Sequence, residues 1–189
     1  AEVARGVALY RPWRYGKGPV LLFRDHDLSD RIGFVYSAWP AASAVEDFLR
    51  RLHHLRAKLP PEEGPYTVSV ILDGENAWEY YPDNGMEFLD SLYAALESDP
   101  GIVTRTAADV ALPDEARPLP RVVAGSWIGR NLATWIGHPE KNRAWELLAE
   151  TRDAIAKARG APKFADPAGR AVFSAEGSDW FWWFGDDHP

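Results

Sequence analysis

Asp73 and Glu75 stand two residues apart in Leu72-Asp73-Gly74-Glu75-Asn76-Ala77-Trp78-Glu79, with a glycine between them and an amide and an indole just after. This set suits a sugar. A carboxylate can exchange a proton with a glycosidic oxygen, Asn76 can hydrogen-bond hydroxyls, and the Trp78 ring can lie against a pyranose face. The plain alternative is an Asp-Gly turn with Glu75 and Glu79 solvated, and the pattern alone leaves both open. A second group, Phe23-Arg24-Asp25-His26-Asp27-Leu28-Ser29-Asp30, sets Arg24 and His26 among acids, where they could hold a substrate or orient a carboxylate. Its plain reading is a loop in which Ser29 caps a short helix. His26 has no second ligand at metal spacing, so neither a metal nor a cofactor is expected. A third group is aromatic: Trp127, Trp135, Trp145 and the run Trp180–Phe184. Trp145 reads as helix core, whereas an unbroken aromatic run cannot face one way on a helix. Some of it must point at a cleft, a partner or further protein. There is no Gly-x-Ser-x-Gly elbow and no glycine-rich phosphate loop.

The elements that must hold these groups alternate. Residues 1–19 read as loop. Val20–Arg24 is a short apolar run that fits a buried strand, and residues 66–72 (YTVSVIL) form the best strand of the chain, rich in β-branched residues. Both polar groups therefore leave strands at their carboxyl edge, where α/β folds keep their reactive side chains. A helix is expected over 41–59, with Val45, Phe48, Leu49, Leu52, Leu55 and Leu59 on one stripe and Ser43-x-x-Glu46 as a capping box. Pro82-Asp83-Asn84-Gly85 is a turn, and a helix opened by Asn84-x-x-Glu87 follows with Phe88, Leu89, Leu92, Tyr93 and Leu96 inward. Ile102–Thr104 reads as a brief strand and Thr106-x-x-Asp109 as the start of a short helix. Pro113–Pro120 is a connection, after which only helix is expected, from Pro139 to a stop at Gly160. Buried strands separated by amphipathic helices imply parallel pairing with right-handed crossovers.

Composition bounds the function. The chain has 189 residues, 46% of them apolar, enough for a core. A net charge of −7, with 28 acids against 21 bases and no basic run, argues against a nucleic-acid partner. Apolar runs such as Val20–Phe23 fall far short of the roughly 18 residues of a membrane span. With no cysteine there is no disulfide, thiolate metal site or thiol nucleophile. A cytoplasmic location is the expectation, and secretion is equally compatible with a cysteine-free chain.

At these residues the sequence resembles glycoside hydrolase family 57, the α-glucan-active enzymes that include amylopullulanases, α-amylases and 4-α-glucanotransferases. The matching blocks are FRDHDLSDRIGFVYS (23–37), ILDGENAWEYYPDNG (71–85), GSWI (125–128), ATWIGHPEKNRAW (133–145) and AEGSDWFWWFGDDH (175–188). They run in order along nearly the whole chain, and their wording is nearest to the amylopullulanase-like branch. The resemblance implies an α/β fold, part of an incomplete seven-stranded β/α barrel over residues 1–112, followed by the start of a helical region over 113–189. It implies a retaining mechanism on the α-1,4 linkages of an α-glucan or maltooligosaccharide, with action on α-1,6 linkages left open. Asp73 would be the general acid/base, and Arg24, His26, Glu75, Trp78, Trp127 and Trp180 would bind substrate.

Retaining chemistry also needs a nucleophile about 5–5.5 Å from the acid/base, which in this family is a Glu on an earlier strand. Before Asp73 the glutamates are Glu2, Glu46, Glu62 and Glu63, and none follows a strand. The expectation is a chain that lacks the nucleophile: the carboxyl-side part of a catalytic domain, cut at both ends and inert by itself, with the remainder of the domain as partner. Beside this enzyme reading stands a non-catalytic α-glucan-binding or assembly module built on the same aromatics. The residues do not separate hydrolysis from glucan transfer.

Overall fold

The structure, a computed structural model, describes residues 6–74, 78–126 and 128–186. The chain divides into two compact units, Ala1–Val122 and Val123–Pro189.

The first unit is mixed α/β. Its sheet has three short strands in the order β2-β1-β3: Trp13–Arg14 (β1), Val20–Leu21 (β2) and Arg117–Pro118 (β3). β1 and β2 pair antiparallel, with Trp13 opposite Leu21. Here the expected loop before residue 19 holds a strand, and the expected parallel strand over 20–24 is shorter and antiparallel. The connection through residues 15–19 explains the direction: it is long enough for a hairpin and far too short for a parallel crossover. β3 lies inside the proline-rich connection and pairs parallel with β1, Trp13 opposite Arg117. The 66–72 segment forms no ladder strand. It runs extended and makes one parallel bridge, Ser69 to Arg24. Ile102–Thr104 joins no strand, and Val103 is 71% exposed. Among the described residues the strands do not close into a barrel.

The helices follow the sequence more closely. A short helix His26–Asp30 (α1) runs into a π-helical turn, Arg31–Val35. The long helix Ala41–Lys58 (α2) buries Val45 and Phe48 on the expected stripe. It starts earlier than the Ser43 capping box would place it, because Pro40 already has helix-entry geometry and its carbonyl accepts the Ala44 N–H at 3.1 Å. Helix Met86–Ser98 (α3) packs against α2 and buries Phe88 and Leu92, whereas Tyr93, expected inward, is 58% exposed. Helix Ala107–Val110 (α4) carries the expected capping box of Thr106 and Asp109. The core lies where α1, the π turn, α2 and α3 meet, centred on Ile32, Tyr36, Phe48, Tyr81 and Phe88.

Asp47 stitches these helices together from below the surface. Its carboxylate accepts the Tyr36 hydroxyl at 2.8 Å and Arg51 Nε at 2.7 Å, and Arg50 and Arg31 also pair with it. Burial alone would push the Asp47 carboxyl up, but the hydrogen bonds from Arg51 and Tyr36 outweigh it and hold it below the usual carboxylate range. A carboxyl lowered on folding adds stability above its unfolded value, and that stability is lost as pH falls through the folded one. Asp47→Asn is therefore expected to lower stability at neutral pH and to flatten its fall below about pH 4, read from urea midpoints against pH. An acid limb as steep as the wild type's would assign that loss to other carboxyls.

The second unit is helical: Pro139–Arg159 (α5), Pro167–Ala175 (α6) and Asp179–Trp182 (α7). Pro139 opens α5 and Gly160, at φ +81°, ends it, both as the sequence predicts.

Candidate active site

The 66–72 segment is tied along one edge at every second residue. The Thr67 N–H donates to the Tyr10 carbonyl at 2.9 Å, the Ser69 carbonyl accepts the Asp25 N–H at 2.8 Å, and the Ile71 N–H donates to Ser29 Oγ at 3.1 Å. This edge delivers Asp73 to the surface, where it is exposed. Glu75, the second carboxylate of the motif, and Asn76 lie outside the described residues, as does Trp127.

The 23–30 group is built around Asp25 rather than Ser29. Asp25 caps α1: its side chain accepts the Leu28 N–H at 2.9 Å and the Tyr10 hydroxyl at 2.7 Å. Burial and the neighbouring Asp25 carboxylate push the Tyr10 phenol well up from its ordinary value. Ser29, expected as the cap, sits within α1 instead. Arg24 and His26 both face Asp30, with Arg24 Nη2 at 2.9 Å from Oδ1 and His26 Nδ1 at 3.1 Å from Oδ2. One carboxylate thus holds both candidate binding groups, and the imidazole remains three-quarters exposed.

Trp78 is half-buried, its ring against Tyr81 (centroids 5.4 Å apart) and Phe88 (6.5 Å). Tyr81 donates its hydroxyl to the Ile32 carbonyl at 2.6 Å, and burial pushes its phenol up to about 12. Pro82-Asp83-Asn84-Gly85 forms a tight turn in which Asp83, Asn84 and Gly85 are all left-handed. Gly85 has φ +77°, and a Cβ there would sit 2.7 Å from Cε3 of Trp78. Gly85→Ala is therefore expected to cost about 2–3 kcal/mol, from the left-handed backbone and the displaced indole together. A urea midpoint unchanged by the substitution would show that the indole does not need this seat.

In the second unit, the two C-terminal sequence blocks meet. His138 Nδ1 accepts the Glu140 N–H at the start of α5, and its Nε2 lies 3.4 Å from Asp186. The Gly185 N–H donates to Glu140 Oε2 at 3.0 Å. Trp145 stacks on the fully buried Phe181 (centroids 3.9 Å) and donates its Nε1–H to the Trp135 carbonyl. Trp180 also lies against Phe181, with ring centroids 3.6 Å apart, and donates its Nε1–H to the Ala175 carbonyl. The aromatic run does face several ways: Phe181 is core, Trp180 is half-buried, and Trp183 is 64% exposed.

Chemically, the first unit offers a surface carboxylate on a pinned backbone, an anchored indole, and an arginine and histidine steadied by Asp30. Glu46 lies on the exposed side of α2, and Glu62 and Glu63 lie in an exposed turn, with Glu63 3.8 Å from Arg11. Glu2 is outside the described residues. So no described glutamate before Asp73 ends an extended segment. Among the described residues no three His, Asp or Glu side chains gather to hold a metal, and no helix is long and apolar enough to cross a membrane. Residues 1–117 match the sequence model of glycosyl hydrolase family 57. No curated protein matches the chain.

Proposed function

Because the chain belongs to glycosyl hydrolase family 57, we propose that it acts on α-glucans as the carboxyl-side part of an incomplete β/α barrel, with Asp73 as general acid/base. The observation that carries this reading is Asp73 itself: an exposed carboxylate at the carboxyl end of an extended segment whose backbone is fixed at Thr67, Ser69 and Ile71. In a retaining double displacement, a nucleophile carboxylate attacks the anomeric carbon as the glycosidic C–O bond breaks, and Asp73 gives its proton to the departing oxygen. Asp73, now ionised, then takes a proton from a water or a sugar hydroxyl as that oxygen displaces the enzyme carboxylate. Water gives hydrolysis and a sugar gives transfer.

The nucleophile in this reading is a glutamate from outside residues 1–189, since the described glutamates before Asp73 lie on a helix face and in a turn. Arg24 and His26, steadied by Asp30, and Trp78, seated on Tyr81 and Phe88, would bind substrate, as would Glu75, Trp127 and Trp180. The test follows the anomeric proton signals of maltooligosaccharides with the full-length protein. The reading expects α-anomeric product to appear first, and no release from residues 1–189 alone. Product appearing first as the β-anomer would overturn the retaining mechanism. Binding of maltooligosaccharide without any cleavage would make the protein a glucan-binding module.

A further inference from the structure

We infer that Ser29 is a positioning residue for Asp73: its hydroxyl takes the place of a missing strand and fixes the backbone just before the carboxylate. The inference rests on the acid/base reading of Asp73 given above.

In a parallel pair, alternate residues of one strand bond to the neighbouring strand at even spacing. The 66–72 segment follows this rule at Ser69, which bridges Arg24 and accepts the Asp25 N–H, while Thr67 before it bonds to Tyr10 of another segment. The next rung is the Ile71 N–H, whose acceptor in a continued parallel ladder would be the Asp25 carbonyl. That carbonyl has left the sheet. Asp25 caps α1, and its carbonyl has turned into the helix, where it accepts the Ser29 N–H at 3.1 Å and the Ser29 hydroxyl at 2.6 Å. One turn along, Ser29 brings an oxygen back to the vacant rung. Its only proton is committed to the Asp25 carbonyl, so a lone pair is left to accept the Ile71 N–H at 3.1 Å.

The clasp is rigid. Ser29 is 1% exposed, Asp25 is 6% exposed, and the Asp25 carboxylate is held by the Tyr10 hydroxyl and the Leu28 N–H. Side-chain packing cannot do this work at Ile71, which is 47% exposed. The hydrogen bond to Ser29 therefore decides where the chain stands two residues before Asp73. For a proton donor that has to meet a glycosidic oxygen, a displacement of about 1 Å costs about a hundredfold in rate.

The experiment uses the full-length protein and two readouts. Amide exchange in the wild type is expected to be at least tenfold slower at Ile71 than at its neighbour Val70, whose N–H has no hydrogen bond among the described residues. Equal exchange at the two amides would overturn the clasp without any mutation. Ser29→Ala is then expected to speed exchange at Ile71 and to lower kcat on maltooligosaccharides by about ten- to a hundredfold with little change in KM. Ser29→Thr, which keeps the hydroxyl, is expected to restore most of kcat. A wild-type kcat in Ser29→Ala, or an equal loss in the threonine variant with Ile71 still protected, would overturn the positioning role. Absence of turnover in the wild type would instead sink the glycosidase reading, while the exchange measurement would still decide whether the clasp exists.

Discussion

Asp73→Asn is expected to lower kcat on maltooligosaccharides by about 10²- to 10⁴-fold, the span that a positioned acid/base contributes. Asparagine keeps the shape and the hydrogen-bonding reach of the side chain but can neither give a proton to the leaving oxygen nor take one from the incoming water. KM is expected to move little, because substrate contacts fall to Arg24, His26 and Trp78 in this account. Initial rates across a series of chain lengths measure it. A variant that retains wild-type kcat would remove Asp73 from the chemistry and return the Asp-Gly to a simple turn.

The second large effect is on stability. Phe88 is 3% exposed and stands at the centre of an aromatic cluster, with Tyr81 at 5.3 Å, Tyr36 at 6.0 Å and Trp78 at 6.5 Å between ring centroids. Phe88→Ala removes the ring from all three neighbours at once, and the surrounding helices cannot collapse fully into the space. The expected cost is about 3–5 kcal/mol, read as a shift of the urea midpoint. Because Trp78 loses one of its supports, the same variant is also expected to weaken maltooligosaccharide binding at temperatures where it is still folded. A loss below about 1 kcal/mol would mean that the cluster repacks and that the Trp78 seat does not depend on Phe88.

Helices were legible in the sequence because their signals are local. The apolar stripe of α2, the Thr106–Asp109 capping box of α4, and the Pro139 start and Gly160 stop of α5 each lie within one element, and the structure has them all. Strand pairing is not local. Val20–Leu21 reads as a parallel core strand until the short connection from Arg14 forces an antiparallel hairpin, and Arg117–Pro118 gains strand character only by lying beside Trp13. The 66–72 segment shows both sides: its extended form was readable, its single bridge to Arg24 in place of a continuous ladder was not.

At the candidate site the residue types were readable and their partners were not. Asp25 takes the capping role that the sequence suggests for Ser29, because the cap is decided by where the chain turns. Asp47 drew no notice in the sequence, although arginines follow it at i+3 and i+4. Such a triplet normally marks a solvated helix face, and Tyr36 and Arg31, from outside α2, make it a buried junction. Trp78 could be read as a sugar platform from its type alone, but its seat on Gly85, Tyr81 and Phe88 depends on the left-handed turn and on α3.

The most direct test of the central claim uses Asp73→Ala in the full-length protein, an α-glucoside with a good leaving group, and azide. An acid/base variant can still form the glycosyl-enzyme from such a substrate, since the leaving group needs no proton, but it cannot activate water to release the sugar. Azide needs no base. The account predicts that azide raises turnover of the variant at least tenfold, leaves the wild type unchanged, and yields the α-glycosyl azide. A variant whose turnover azide does not change, or whose product is the β-glycosyl azide, would contradict Asp73 as the acid/base of a retaining enzyme.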